Sequence, residues 1–146
     1  MFRIVHLLYT CYISQKGERM KKSASTDRKC IEKLCKYIGD IKKIIDADSI
    51  NSSRDLKMTL AAKYAITQLI TNCYELSVNM RDETLCSMIE FQKIRLRTTR
   101  QIASHDYDRI DYNPVYAICL QLMSDNVYNE LINKLSEIRK DDINGN

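Results

Sequence analysis

The chain has 146 residues, 45% of them apolar, with three glycines, one proline and six cysteines. That length suits one domain with a sizeable core, and so few turn-formers exclude a β-sandwich or barrel. The formal charge of +4 sits in the first 22 residues, where Arg3, Lys16, Arg19, Lys21 and Lys22 face Glu18 alone. The remainder is neutral, so bulk basicity gives no reason to invoke nucleic acid.

Residues 1–24 read as a peripheral segment. MFRIVHLLYTCY is a short apolar run followed by polar residues and a second methionine, Met20. It lacks the small-residue cleavage site of a secretory signal. Two readings stand: an over-extended start with Met20 as initiator, or a real segment outside the fold. No run of about eighteen apolar residues occurs, so no transmembrane helix and no membrane partner are expected.

The domain proper is expected over 25–140. A first helix starts at Ser25 or Thr26, either able to cap it, with Asp27 in its first turn. Ile31, Leu34, Cys35, Ile38, Ile41 and Ile45 form one apolar stripe, which fades at Asp46 to Ser49. Asn51, Ser52 and Ser53 mark a turn. A second helix is expected from Arg54 to Asn79, about 39 Å long, burying Leu56, Leu60, Ala61, Tyr64, Leu69, Ile70, Cys73 and Leu76. Small Ala61, Ala62 and Ala65 let a neighbour approach.

A loop at Val78 to Glu83 leads to a third helix near Asp82 to Thr84. It carries Leu85, Cys86, Met88, Ile89, Ile94 and Leu96 and continues toward Ile102. His105 to Asn113 is an acid-rich connection. Asn113–Pro114 is a cap followed by a first-turn proline, opening a fourth helix with Val115, Ile118, Leu122, Val127, Leu131, Leu135 and Ile138. Asp141 to Asn146 is expected to fray. The fold class is all-α, an up-and-down bundle of four long helices with room for a short fifth.

Cys35, Cys73, Cys86 and Cys119 lie among apolar residues, where a thiol acts as a small hydrophobe. With no C-x-x-C and only two histidines, neither a zinc site nor any other metal or cofactor is expected. The thiols read as reduced and the protein as cytoplasmic.

The chemistry-bearing stretch is Arg100 to Tyr107, R-Q-I-A-S-H-D-Y. Lys93, Arg95, Arg97 and Arg100 precede His105 with no acid among them, and Asp106, Asp108 and Asp111 follow it. On one continuous helix Arg100 and His105 would stand about 140° apart. If the helix ends or loosens between them, both can turn to one cleft. Such a pair suits cleavage of RNA without a metal. Imidazole can take the 2′-hydroxyl proton or protonate the leaving oxygen, and guanidinium stays charged as negative charge builds on phosphate. Arg95 and Arg97 would contact phosphates without reading sequence. The plain alternative is a solvated basic face with a surface histidine.

Arg100, His105 and Tyr107 resemble the R-x4-H-x-Y motif of HEPN-domain toxins of the HepT type. The following D-R-I-D (Asp108 to Asp111) and the proline-started helix are similar too, and the likeness covers about Asp27 to Ile138. Gln101 stands where many relatives carry asparagine. The resemblance implies a HEPN-like bundle that pairs as a homodimer around a positively lined cleft. It implies a metal-independent endoribonuclease toxin of a type VII-like toxin–antitoxin module, with Arg100 and His105 catalytic. Tyr107 would accept AMP from a cognate minimal nucleotidyltransferase antitoxin, blocking RNA access with a bulky anion. Inactive relatives imply an alternative: a non-catalytic helical partner or substrate-binding subunit of a nucleotidyltransferase.

Overall fold

An apolar residue every three or four positions makes the first helix. In a computed structural model that describes residues 24–93 and 110–144, α1 runs Ala24–Ala47. Ser25 and Thr26 lie within it rather than capping it. Cys30, Ile31, Leu34 and Ile41 are buried, and Ile38, Ile44 and Ile45 pack beside them. Cys35, expected in the stripe, is exposed. It follows Leu34 by one residue, about 100° around the helix. The end of α1 is tied by Ser49 N–H to the Asp46 carbonyl at 3.4 Å and Ile50 N–H to the Ile45 carbonyl at 3.0 Å. That is the Schellman pattern, with Ser49 in the left-handed region at φ 52° and Ile50 buried beneath it.

The expected second helix is two. α2, Ser53–Met58, is capped by Ser52, whose Oγ accepts from Asp55 N–H. Thr59 is extended (φ −102°, ψ 97°) and separates it from α3, Leu60–Val78. Thr59 turns its hydroxyl to the Asp55 carbonyl at 2.8 Å, the local bond by which β-branched Thr competes with helix propagation. The break resets the helical phase. Leu60, Ala61 and Tyr64, expected inside, are exposed, whereas Ala62, Lys63, Ile66, Thr67, Ile70, Thr71, Cys73 and Ser77 are buried. Thr67, Thr71 and Ser77 hydroxyls each donate to the carbonyl four residues back, at 2.6, 2.9 and 2.7 Å. Their polar atoms are thus satisfied within the helix, and the methyl or methylene faces the core. α1 and α3 share the most extensive contact between described elements.

The expected third helix is also shorter. α4 spans Thr84–Met88 and ends at an extended Ile89, followed by a 3-10 turn at Phe91–Lys93. Ile94, Leu96 and Ile102 lie outside the described residues. The expected fourth helix divides into α5, Tyr112–Leu122, and α6, Asp125–Asn144. The five-residue step from Leu122 to Val127 already departs from helical rhythm. Ser124 fills the gap, its Oγ donating to the Gln121 carbonyl at 2.6 Å and accepting from Val127 N–H at 3.3 Å. Asp111, not Asn113, caps α5 by accepting from Asn113 N–H at 3.0 Å. Pro114 is then the third helical residue, still among the orphan N–H positions. Asn113 instead accepts from Ser53 Oγ at 2.6 Å and joins α5 to α2. α6 continues past Lys140 to Asn144, and Asp142 pairs with Arg28 of α1.

The described residues are helical and hold no strand. One core joins Ile31 and Leu34 of α1, Leu56 of α2, Ile66 and Ile70 of α3, Leu85 of α4, Val115 and Ile118 of α5, and Leu131 of α6. No helix among the described residues is long and apolar enough to cross a membrane. Residues 1–23 and 145–146 fall outside the described part.

Candidate functional site

Arg95, Arg97, Arg100, His105 and Tyr107 all lie in 94–109, outside the described residues. The structure does describe how the two ends of that stretch are held.

At the entry, α4 ends at an extended Ile89, and a long-range contact holds the residue after it. The Glu90 N–H is given to Oε1 of Gln121 on α5, at 2.8 Å. In return the Gln121 amide donates through Nε2 to Glu90 Oε2 at 3.0 Å. The Glu90 N–H thus finds a side-chain acceptor just past the extended Ile89, where the helix has ended. Phe91 then packs edge-on against Tyr74 of α3, ring centroids 5.3 Å apart. Lys93, the first cation of the basic run, is paired with Glu90 at 2.7 Å. The Lys93 hydrogen bond, then that from Gln121, hold the Glu90 carboxyl below its ordinary range. Lys93 is therefore matched by an acid that lies just before the basic run.

At the exit, Ile110 and Tyr112 are buried and Asp111 caps α5. Both ends of the stretch are consequently attached to one helix. Glu90 is fixed at Gln121, near its C-terminal end, and Ile110 runs into its first turn. Tyr112 and Gln121 are nine residues apart, about 14 Å along the axis.

A second polar cluster lies elsewhere, where α1, the α3–α4 turn and α6 meet. Asp27 is buried and takes two bonds from Arg81, N–H at 3.0 Å and Nε at 2.8 Å. The next residue, Asp82, pairs with Lys134, whose side chain is only 8% exposed and also reaches Glu130 at 3.4 Å. Asp27, Arg81, Asp82 and Lys134, with Glu137, Ile138 and Asp141, line a pocket of about 230 Å3. Burial pushes the Asp82 carboxyl up, but the Lys134 and Thr84 hydrogen bonds outweigh it and the net shift is downward. Burial likewise pushes the Lys134 amine down, and the bond to Asp82 outweighs that, so it ends raised. Two of the four acids are neutralised by the two cations, which makes this a joint between helices. Among the described residues, no three His, Cys, Asp or Glu side chains gather as a metal-ligand set.

The thiols expected as small hydrophobes divide. Cys73 and Cys119 are buried and each is pushed up to about 12 by burial. Cys86 is half-buried and Cys35 exposed.

Glu90, Gln121, Arg81, Asp82 and Lys134 were not singled out by sequence. Only Glu90–Lys93 had a visible signal, an acid and a base three apart. The others meet across 31 to 54 residues of chain. Comparison with family models, with curated proteins and with solved structures finds no match to this chain.

Proposed function

We propose that this protein is a metal-independent endoribonuclease of the HEPN, HepT-like kind, acting as a homodimeric cytoplasmic toxin with a four-helix HEPN-like bundle. The observation that carries this reading is the sequence R-x4-H-x-Y at Arg100, His105 and Tyr107, set between two helical parts of an all-helical protein. The helical character of the described residues is consistent with it, and the attachment of both ends of the stretch to α5 gives a fixed frame for such a site.

In this reading His105 takes the proton from a 2′-hydroxyl. The 2′-oxygen attacks phosphorus, the bond from phosphorus to the 5′-oxygen breaks, and that oxygen leaves with a proton supplied by a second acid. The products carry a 2′,3′-cyclic phosphate and a 5′-hydroxyl. Arg100 holds its charge against the phosphate throughout, and Arg95 and Arg97 seat the backbone. A cognate minimal nucleotidyltransferase would silence the site by moving AMP from ATP to the Tyr107 oxygen, with pyrophosphate leaving and the phenol proton lost, so that a bulky anion stands beside His105 and repels the substrate phosphate.

The test is cleavage of RNA by purified protein beside His105→Ala. The parent cuts and the variant does not, with circular dichroism unchanged. An intact substrate with both proteins, together with retention of a co-expressed nucleotidyltransferase, would favour the helical-partner reading instead.

A further inference from the structure

We infer that the outer face of α1 is a binding surface for single-stranded RNA, with Lys29, Lys33, Lys36 and Lys43 taking phosphates of the strand. That the polyanion is RNA rests on the ribonuclease reading; the cationic surface rests on α1 alone.

The inner side of α1 is spent on the core, and its outer side is cationic. Lys29, Lys33, Lys36 and Lys43 are all exposed. Their spacing keeps them within about 80° of one another around the helix, over about 21 Å of its length. None of the four is ion-paired with a described residue, whereas the neighbouring Arg28 is held by Asp142. Asp40, half-buried, is the one acid inside that arc, and Glu32 stands at its edge. Four lysines against one acid leave the arc at +3, although the chain beyond residue 22 is neutral as a whole. Balancing acids gather elsewhere: Asp82, Glu137 and Asp141 line the joint with α6.

A row of like charges along a straight helix suits a flexible polyanion. Each ammonium is a point charge on a flexible stem, which seats a phosphate without reading the base. A single strand can follow such a row, whereas the phosphates of a duplex wind away from it. An anionic membrane is the other surface that a basic helix can meet. Helices that bind there sink an apolar face into the lipid, and the apolar face of α1 is committed to the core through Cys30, Ile31, Leu34 and Ile41. Each phosphate neutralised on a single strand releases counterions and adds about 0.7 to the dependence of log Kd on log salt.

The probe is single-stranded 2′-O-methyl RNA of two unrelated sequences, which cannot be cut through a 2′-hydroxyl, titrated with the full chain by fluorescence anisotropy. Three proteins are compared: the parent, K29Q/K33Q/K36Q/K43Q, and a control, R54Q/K57Q/R139Q/K140Q. Both variants lose the same charge from exposed positions. The α1 variant is expected to bind at least about tenfold more weakly at about 0.1 M salt, with a salt slope lower by about 3, on both sequences alike. The control should keep the parent's slope to within about 1. Parent-like affinity and slope in the α1 variant, or equal losses in the two variants, overturn the inference. So does a loss of binding to phosphatidylserine vesicles with RNA binding intact. On cleavable RNA the α1 variant should show a raised KM. If no protein cuts RNA but the salt pattern holds, the ribonuclease reading fails and the surface stands. If the parent and the α1 variant cut RNA with the same KM, the surface fails and the ribonuclease reading stands.

Discussion

α1 and α3 lie against each other and solve the same problem differently. α1 buries Cys30, Ile31, Leu34 and Ile41; apolar spacing finds the three aliphatic ones, though it takes Cys35 in place of Cys30. α3 buries Ile66, Ile70 and Cys73 with Lys63, Thr67, Thr71 and Ser77 among them, and leaves Leu60 and Tyr64 exposed. A hydroxyl that donates to its own helix four residues back acts as an apolar residue on its outer side. α3 therefore shows that periodicity counts the residues that pack, which need not be those with apolar names.

The largest effect expected from this contrast is in the core. Ile66→Ala, fully buried in α3, should cost about 2–5 kcal/mol in chemical denaturation, as should Leu34→Ala on α1. Leu60→Ala, six residues before Ile66 and 60% exposed, should change stability by about 0.5 kcal/mol or less. A large loss at Leu60 with a small one at Ile66 would restore the face read from the sequence and break the comparison.

Smaller effects are expected at the joint below the two helices, where Arg81 holds Asp27 of α1 and Asp82 holds Lys134 of α6. Removing one partner strands a buried charge, whereas replacing that charge removes the need for one. Asp82→Ala should cost about 1–2 kcal/mol at neutral pH, discounted for its half-exposed carboxylate, and Lys134→Met should cost less. The sign with pH follows from the lowered Asp82 value. Its contribution is present above the unfolded carboxyl value of about 3.9 and is lost as pH falls through the lower folded one. Asp82→Asn should therefore converge on the parent in acid unfolding below about pH 4. A constant gap across that range would deny the pairing.

The smallest effect sharpens α1 alone. Gly39 sits mid-helix with nothing within 4 Å of an added Cβ, so Gly39→Ala should raise stability by about 0.5–1 kcal/mol. A loss would mean that the α1 surface near Gly39 is covered.

How much of this could be read in advance follows the same division. The all-helical class, the α1 stripe and the alternation of Val115, Ile118, Leu122, Val127, Leu131 and Ile138 were legible because local spacing determines them. The breaks were less so. Ser124 lies at a five-residue step that spacing shows, but Thr59 ends α2 with a bond to Asp55 that competes only weakly on paper. Just past the end of α4, Glu90 is paired with Gln121, 31 residues away, and no local pattern announces it. Asn113 looked like the cap of α5, while Asp111 does that work and leaves Asn113 to Ser53. Of the candidate site, the residue types and their order were legible. The Glu90–Gln121 pairing at its entry came only from the fold, while Glu90 and Lys93, three residues apart, stood within reach of a local reading.

The most direct measurement is of the ends left on cut RNA, with a chelator present throughout. Cleavage driven by His105 through the 2′-oxygen predicts 2′,3′-cyclic phosphate and 5′-hydroxyl ends, no effect of the chelator, and no cutting where the nucleotide 5′ to the scissile phosphate is 2′-deoxy. Ends bearing a 5′-phosphate, or cutting of the 2′-deoxy substrate, would contradict the account.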